Sequence, residues 1–461
     1  MSRATCARRA TSPRSSRWRP PSPRSRSSSR GPDVRFAEAL AELEARQPEH
    51  LPEPDLERIG ALAELLDHPQ RTYPTIHVTG TNGKTTTARL LSALACAHGL
   101  TTGLFTSPHL SSVTERLQVC GEPIGETELG EEYEHLRPYL RSVDGTVGRV
   151  TYFEALTALA FLWFADKPVG LGVFEVGMGG AWDATNLVAG DVAVLCPIAL
   201  DHPELGSTVA EVAGEKAGIV KPGKVAVVRD QPPEALTVVE ARCREVGATL
   251  LLEGREWAVE GRTPAIGGQT CSIRGPRVGY DGLFVPLFGA FAAHSAAAAV
   301  VALEALLDRP LEEGATRAAL EQATSPGRLE VIARRPLVVL DGAHNPAAAE
   351  ALVAALREGF AWDRLHLVIG VFSNKDLDGI AERLAPVADR AYACATESVR
   401  ARAVEEVGAA FSDRGVATEG FPTVAAALRA ARGAASERDL ILVTGSLYTV
   451  ADARRALLEE P

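Results

Sequence analysis

The sequence has little of what marks zinc-binding, disulfide-rich or membrane-spanning proteins. Its seven cysteines are scattered over 461 residues, at positions 6, 96, 120, 196, 243, 271 and 394, and none forms a C-x-x-C pair. This spacing argues against a zinc module or a disulfide framework and favours a reducing, cytoplasmic environment. No apolar run reaches the roughly 20 residues that a spanning helix needs, so we expect no membrane span.

Basic charge is also scarce outside the first 30 residues. The formal net charge is −11. Residues 1–30 hold nine arginines and no acid, which leaves 39 basic against 59 acidic side chains in the rest of the chain. Because nucleic-acid binding proteins present basic surfaces, we expect no nucleic-acid partner. The length and an apolar fraction of 46% allow two or three well-packed domains.

Residues 1–33 are rich in Arg, Ser and Pro and hold few residues that a core could bury. We therefore expect them to be disordered. One interpretation is a basic targeting arm. The other, which we prefer, is an artefactual extension with Val34 as the true start, because helical patterning (VRFAEALAELEA) begins there and Met178 is the only methionine after Met1.

From Phe36 onward, apolar or β-branched runs alternate with helical patterns. The runs are 73–79, 171–176, 192–198, 225–228, 337–340, 365–371, 391–395 and 440–443. This alternation predicts an α/β fold with parallel sheets covered on both faces. A polar, interrupted segment (308–328) precedes a new strand–loop–helix series, so we place a domain boundary near 324–328.

A compact loop, GTNGKT (80–85), follows the first run and opens a helical pattern. Backbone N–H groups at a helix N-terminus, the charge of Lys84 and the hydroxyl of Thr85 together favour phosphate. Walker A spacing would require glycine at Val78, so this is a compressed phosphate loop. ATP is the expected nucleotide, because the chain has no N-K-x-D element for guanine.

Further polar residues follow predicted strands and helices. Glu175 ends a buried strand, where a carboxylate can support magnesium. The other candidates are Ser107 in TSPHL, the Asp201-His202 pair, Lys216 in EKAGIVKPG, and Asp341, His344 and Asn345 in DGAHNP. Taken singly, each has an ordinary structural explanation as a surface acid, turn serine, structural histidine, helix-surface cation or helix start.

Together these segments resemble the folylpolyglutamate synthase/dihydrofolate synthase family of ATP-dependent amide ligases, which are relatives of the Mur peptidoglycan ligases. The matching segments, in order over about 34–455, are HVTGTNGKTTT, TSPHLSSVTERL, TYFEALTALAF, EVGMGGAWDATN, ALDH, EKAGIVKPG, SPGRLE, DGAHNP and VTGSLYTVADAR. The loop is shared with Mur ligases, whereas TSPHL, TYFE, WDATN and GSLY point to the folate branch.

The resemblance implies a phosphate-loop domain with ATP- and pterin-binding segments over 34–324 and a smaller Rossmann-like domain over 325–461. It assigns the phosphates to Asn82, Gly83, Lys84 and Thr85, and further ATP contacts to Ser295, Arg328, Asp341 and His344. It assigns magnesium to Ser107, Glu175 and His202. It assigns the pterin to Thr151, Tyr152, Phe153, Glu154, Trp182, Asp183 and Ala184. Lys84, Lys216 and His344 are the implied catalytic residues, with Lys216 carbamylated by CO₂.

The implied reaction joins L-glutamate to folate, to dihydropteroate or to both through an acyl phosphate. It needs ATP and Mg²⁺, with K⁺ as a second candidate ion, in a cytoplasmic monomer without nucleic-acid or membrane partners. A Mur-type amino-acid ligase and a catalytically silent ATP-binding module are the alternatives.

The chain departs from the family pattern at several positions. Thr85 is the Mur-like choice after the loop lysine, and Ala181 replaces a usual arginine. Phe291, Ala292 and Ser295 stand where the family has His, Gln and Asn, with His294 as a candidate substitute donor. The loop after Asp201-His202 is one residue short, and Asn374 is neutral where an acid is common. We expect an active but diverged enzyme, because the core metal and phosphate positions survive.

Overall fold

The computed structural model describes residues 32–46 and 55–459. The predictions for residues 1–31 lie outside these described residues. The predicted disorder is wrong for residues 32 and 33, because the first helix begins at Pro32.

The helices of the described residues, in chain order, are α1 Pro32–Glu44, α2 Glu57–Leu65, α3 Lys84–Ala97, α4 Glu126–Thr146, α5 Tyr152–Asp166, α6 Val209–Ala217, α7 Pro233–Val246, α8 Ala290–Leu307, α9 Glu313–Glu321, α10 Pro346–Gly359, α11 Leu377–Leu384, α12 Val404–Ser412, α13 Val424–Ala434 and α14 Leu447–Glu459.

The strands are β1 Thr75–Thr79, β2 Thr102–Phe105, β3 Leu117–Val119, β4 Glu122–Pro123, β5 Leu171–Glu175, β6 Val192–Leu195, β7 Val225–Val228, β8 Thr249–Leu252, β9 Ala258–Ala265, β10 Gly268–Arg274, β11 Gly279–Val285, β12 Glu330–Arg334, β13 Leu337–Leu340, β14 Leu365–Ile369, β15 Arg390–Cys394, β16 Ala417–Phe421 and β17 Leu440–Thr444.

The first sheet has eight strands in the order β4-β3-β2-β5-β1-β6-β7-β8. Its six strands from β2 to β8 are parallel, and β3 and β4 add an antiparallel edge. The chain runs from the central strand β1 to β2 on one side and later returns to β6 on the other. Loops that follow β1, β2, β5 and β6 therefore meet at one edge of the sheet, where open α/β sheets bind ligands.

The second sheet has six strands in the order β12-β13-β17-β14-β15-β16, parallel except for β12. Each of the eight apolar runs in the sequence corresponds to a strand of one of these two sheets. The α/β class with parallel sheets is therefore confirmed.

A third, antiparallel sheet of β9, β10 and β11 was not predicted. Its first strand, AVEGRTPA, contains glycine, proline and charges and is largely exposed, so it has no hydrophobic alternation strong enough to detect. Trp257 and Leu283 nevertheless join the core that covers one face of the large sheet.

Helix α8 lies in that same core. Over its 18 residues the mean hydropathy is 1.7, which by length and composition alone would suit a membrane span, but 67% of it is buried in the protein. Ala296 to Leu303 are fully buried, so the helix is apolar on all sides because other elements enclose it. This burial favours a core helix.

One cysteine pair departs from the expectation. Cys96 in α3 and Cys120 after β3 form a disulfide. The two positions are 24 residues apart, and only the packing of α3 against the β2–β3 hairpin brings them together. Cys196, Cys243, Cys271 and Cys394 are free and buried.

Candidate active site

The phosphate loop leaves β1 and turns into α3 with two glycines in conformations that L-residues rarely adopt. Gly80 has φ +144°, and a Cβ there would lie 2.6 Å from the Cβ of Cys196. Gly83 has φ +87° and directly precedes Lys84, the first residue of α3. The Thr81 N–H donates to the Pro197 carbonyl at 2.9 Å, which fixes the loop to the segment after β6.

Lys84 lies across this loop, with Nζ 3.0 Å from the Gly80 carbonyl oxygen. The N-terminus of a 14-residue helix and a lysine at its first position place positive charge on one spot. The arrangement fits a phosphate group, as the sequence predicts.

Glu175, the last residue of β5, lies beside this spot. Its Oε1 accepts from the Thr85 hydroxyl at 2.7 Å, and its Oε2 accepts from the Ser107 N–H at 3.2 Å. The side chain is 1% exposed. Burial raises the pKa of this carboxyl, whereas Lys84 and the two hydrogen bonds oppose the shift. A nearby cation would favour its ionised form.

Lys216, near the end of α6, is buried on the other side of the loop. Its Nζ donates to the Gly80 carbonyl at 3.1 Å. Burial, with a smaller contribution from the charge of Lys84, lowers the pKa of Lys216 to about 7. A substantial fraction of this amine is therefore neutral near pH 7 and able to act as a nucleophile.

Asp201 joins the two large domains through charge. Its carboxylate lies 2.5 Å from Lys375 Nζ and 3.4 Å from His344 Nε2, both of which belong to the second sheet's domain. Burial opposes ionisation, but the hydrogen bond and charge of His344 and the charge of Lys375 hold the pKa of Asp201 well below its usual range. Burial lowers the pKa of the adjacent His202 to about 3, so this imidazole is neutral and can ligate a metal.

A second link between the domains is a reciprocal amide pair. Asn82 in the phosphate loop donates to Asn345 Oδ1 at 3.3 Å, and Asn345 donates to Asn82 Oδ1 at 3.1 Å. Asn345 Oδ1 also accepts from the Ala348 N–H and so caps α10. The helix start that the sequence indicates thus places a polar group directly on the phosphate loop.

The phosphate loop and the side chains around it line a cavity of about 130 Å³. It brings together most of the predicted phosphate, metal and catalytic residues: Asn82, Gly83, Lys84, Thr85, Ser107, Glu175, His202, Lys216, Arg328 and His344.

Two predicted ATP contacts lie outside that lining. Both oxygens of Asp341 accept backbone N–H groups, from Leu329 and Ala343 at 2.8 Å, so this carboxylate organises the turn before His344. Ser295 is fully buried under Gly83, where its hydroxyl donates to the Phe291 carbonyl at 2.8 Å. The assignment of Ser295 to ATP stays a prediction. His294, the candidate substitute, pairs with Glu253.

A larger cavity of about 490 Å³ adjoins the first, and the two share Ser107, Met178, His202, His344 and Leu447 in their walls. All seven residues assigned to the pterin line it: Thr151, Tyr152, Phe153, Glu154, Trp182, Asp183 and Ala184. Their roles stay predictions.

Two of the seven also have a local structural role. Thr151 accepts from the Glu154 N–H, and Glu154 accepts from the Thr151 N–H, which forms a capping box at the start of α5. Glu154 further pairs with Arg58 at 3.0 Å. A motif read as substrate binding is thus in part a helix start.

Arg400 is a cavity residue that the sequence reading missed. Its guanidinium lies 4.5 Å from the ring centre of Phe372 and 5.6 Å from that of Tyr448. Among the described residues, the Arg400 side chain has no hydrogen bond or ion pair. Lys375, in the same cavity wall, forms an ion pair with Asp201. No motif signals Arg400, because its partners are far away in sequence.

Two family models match the chain. A Mur ligase middle domain covers residues 78–303, and a Mur ligase glutamate ligase domain covers residues 327–447. Among curated proteins, the dihydrofolate synthase/folylpolyglutamate synthase of Mycobacterium tuberculosis is 39% identical over 454 residues, covering 91% of this chain and 93% of that protein.

Solved structures agree with this match. The M. tuberculosis folylpolyglutamate synthase complexed with ADP has a TM-score of 0.89 at 37% identity and covers 94% of this chain and 100% of that one. Escherichia coli FolC in complex with DHPP and ADP has a TM-score of 0.82 at 32% identity, with coverage of 91% and 98%. The Yersinia pestis bifunctional enzyme with AMPPNP and Mn has a TM-score of 0.80 at 32% identity, with coverage of 92% and 98%.

The buried Lys216 should give the unfolding free energy a specific pH dependence. Between about pH 7 and 10 the unfolded chain keeps a proton on this lysine that the native state has lost, so native stability rises with pH. In CO₂-free buffer, we expect the wild-type unfolding free energy to rise by roughly 1 kcal/mol per pH unit more than that of Lys216→Met.

Urea denaturation at pH 7, 8 and 9 measures this difference. Lys224→Met, at a lysine that is 41% exposed, serves as the control and should keep the wild-type slope. Equal slopes for wild type and Lys216→Met would show that Lys216 stays protonated.

Proposed function

The chain belongs to the folylpolyglutamate synthase/dihydrofolate synthase family of Mur ligases, and we propose from this premise that it is an ATP-dependent ligase that adds L-glutamate to folates, to dihydropteroate or to both. The observation that carries the proposal is the shared wall of the two cavities. It puts a phosphate loop next to a cavity large enough for a pteridine substrate.

Both alternatives are weaker. A Mur-type substrate is a nucleotide-sugar peptide, whereas the larger cavity is lined by the TYFE and WDA segments that resemble the folate branch. A catalytically silent module has no need for a buried carboxylate, a neutral histidine and a buried amine around one phosphate loop. All three are present as Glu175, His202 and Lys216.

The proposed role of the small cavity is to bind and neutralise the ATP phosphates. Lys84 and the N–H groups at the start of α3 would hold the γ-phosphoryl group, and Arg328 and His344 would approach it from the second domain. A substrate carboxylate oxygen attacks the phosphorus, the bond to ADP breaks, and an acyl phosphate forms. The glutamate amine then attacks the acyl carbon, loses a proton and displaces phosphate.

The donor set suits a divalent metal ion. Ser107, Glu175 and His202 line the same cavity, and they supply a hydroxyl, a carboxylate and a neutral imidazole. The pKa of Glu175 is raised by burial, so a cation beside it would restore the ionised form. We propose Mg²⁺, which would supply charge neutralisation for the phosphates. K⁺, the monomeric state and a cytoplasmic location stay predictions.

Asp183 is the proposed anchor of the pteridine ring. It is 3% exposed and lies in the wall of the larger cavity with Phe153 and Trp182. An aminopyrimidine ring offers paired N–H donors on one edge and an aromatic face, which suit a carboxylate between aromatic side chains.

A product assay by mass spectrometry tests the function directly. With ATP, Mg²⁺, K⁺ and glutamate, we expect dihydropteroate or tetrahydrofolate to gain one glutamyl unit with release of ADP. Lys84→Ala should lower turnover by at least about 100-fold, because it removes the full charge at the phosphate site. Its circular dichroism spectrum should match that of wild type. Tight ATP binding without product from either substrate would contradict the proposal.

Lys216 carries the second proposal for this site. Its neutral amine can attack CO₂, which forms an N–C bond, releases a proton and leaves a carbamate anion beside the metal residues. We expect CO₂-depleted enzyme to lose activity and bicarbonate to restore it, whereas Lys216→Ala is crippled in both conditions. A ¹³C NMR carbamate signal after addition of labelled bicarbonate should appear in wild type only. Full activity of Lys216→Ala would exclude the role.

Arg400 is the proposed contact for a carboxylate of glutamate. Its guanidinium lies in the wall of the larger cavity over the rings of Phe372 and Tyr448, and it pairs with no acid among the described residues. We expect Arg400→Met to raise the glutamate KM about tenfold or more, because a charge-assisted hydrogen bond is lost. The KM for ATP should not change.

Arg438→Met provides the control for this prediction, because Arg438 is 81% exposed and pairs only with Asp363 among the described residues. Steady-state kinetics with each substrate varied in turn measure the effect. An unchanged glutamate KM in Arg400→Met would place the glutamate elsewhere.

A further inference from the structure

His77 is a fully buried histidine in the middle of the central strand β1. Its neighbours Ile76 and Val78 enter the core on the other face of the sheet. Burial, together with the charge of Lys221, lowers the pKa of His77 to about 3, so the ring is neutral. A polar ring inside a buried strand costs stability unless it is hydrogen-bonded, which raises the question of what it binds.

His77 Nε2 lies 2.8 Å from the hydroxyl of Thr185. That hydroxyl donates its single proton to Asp183 Oδ1 in a short hydrogen bond. The Thr185 oxygen therefore accepts from His77, which fixes the tautomer with the proton on Nε2. His77 Nδ1 is left buried without a partner among the described residues. The hydrogen bonds therefore run in one direction: His77 donates to Thr185, and Thr185 donates to the Asp183 carboxylate.

Asp183 is held from the protein side by further donors. Its Oδ1 also accepts from the Thr185 N–H at 2.9 Å, and its Oδ2 accepts from the Met178 N–H at 2.9 Å. Burial raises the pKa of Asp183 to about 6, and these hydrogen bonds oppose the rise. The Gly177 backbone also contributes to holding this carboxylate. These donors fix the orientation of a carboxylate that lines the larger cavity.

We propose that His77 is a positioning residue for the pteridine subsite, which through Thr185 holds the Asp183 carboxylate in the orientation that binds the ring. This inference rests on the proposed function, since it takes the occupant of the larger cavity to be a pteridine. His77 itself touches neither substrate nor the phosphate loop.

The test compares variants that remove the hydrogen bond with variants that keep it. His77→Met and Thr185→Val remove a donor at similar volume. His77→Gln keeps an N–H at the position of Nε2, whereas His77→Asn places it at the position of Nδ1, which has no partner in the described part of the chain. Thr185→Ser keeps the hydroxyl. His366→Leu controls for the loss of any buried histidine, because His366 is 4% exposed and pairs with Asp439 in the other domain.

Two readouts separate positioning from general damage. Steady-state kinetics give the KM for dihydropteroate, ATP and glutamate. Quenching of tryptophan fluorescence, with Trp182 in the cavity wall, gives the dihydropteroate Kd without turnover. The two removals should each raise the dihydropteroate KM and Kd about tenfold, since each breaks the hydrogen-bond chain to a charged acceptor. The KM values for ATP and glutamate should not change.

His77→Gln and Thr185→Ser should stay within about threefold of wild type, and the double removal should add little to either single change. His77→Asn should resemble His77→Met, and His366→Leu should leave the dihydropteroate Kd unchanged. If His77→Met does not fold, the comparison of His77→Gln with His77→Asn tests the role of His77.

Unchanged dihydropteroate affinity in both removals would overturn the inference. An equal rise in the KM for ATP would also overturn it, because His77 would then act through β1 on the phosphate loop. A third contrary result is a dihydropteroate affinity of His77→Gln that is no better than that of His77→Asn. Wild-type enzyme that neither binds dihydropteroate nor uses it would instead overturn the proposed function. Binding without any effect of the variants would overturn the positioning role alone.

Discussion

Parallel strands end at one edge of their sheet, and in this chain two such edges face each other. β1, β2, β5 and β6 deliver the phosphate loop, Ser107, Glu175 and the Asp201-His202 pair to one side of the small cavity. The turn after β13 delivers His344 to the other side. Because each of these contributions is a strand end, the site is assembled by topology from residues far apart in the sequence.

Several polar contacts between the domains lie within the site. Asp201 meets Lys375 and His344, and Asn82 meets Asn345. Polar contacts of this kind can exchange with water when domains separate, unlike a large apolar interface. These side chains therefore contribute both to the domain arrangement and to the geometry of the phosphate site, alongside apolar contacts such as Phe288 with Phe360.

Burial of ionisable side chains at the site lowers the free energy of unfolding. Glu175, Lys216 and Asp183 are each at most 4% exposed, and burial shifts the pKa of all three toward the neutral form. Such groups cost folding free energy unless they are paired, which is why they are concentrated where chemistry needs them. Around them, the stability comes from large apolar clusters such as the one on α8.

The fold class, the phosphate loop and many of the polar residues around the small cavity could be predicted from the sequence alone. These signals are local: buried strands read as apolar runs, and a glycine-rich turn before a helix reads as a phosphate site. The features that the sequence did not predict are those that no short stretch of sequence indicates. The β9–β11 sheet has no clear alternation, and the Cys96–Cys120 pair depends on packing.

The partners of individual side chains could be assigned only from the folded structure. Ser295 was assigned to ATP by its place in a motif, yet it is fully buried under Gly83. Arg400 carries no motif, yet two distant rings hold it in the wall of the larger cavity. The line from His77 through Thr185 to Asp183 spans more than 100 residues. Burial, tautomers and ion pairs follow from distances between residues far apart in the chain, and those distances exist only once it has folded.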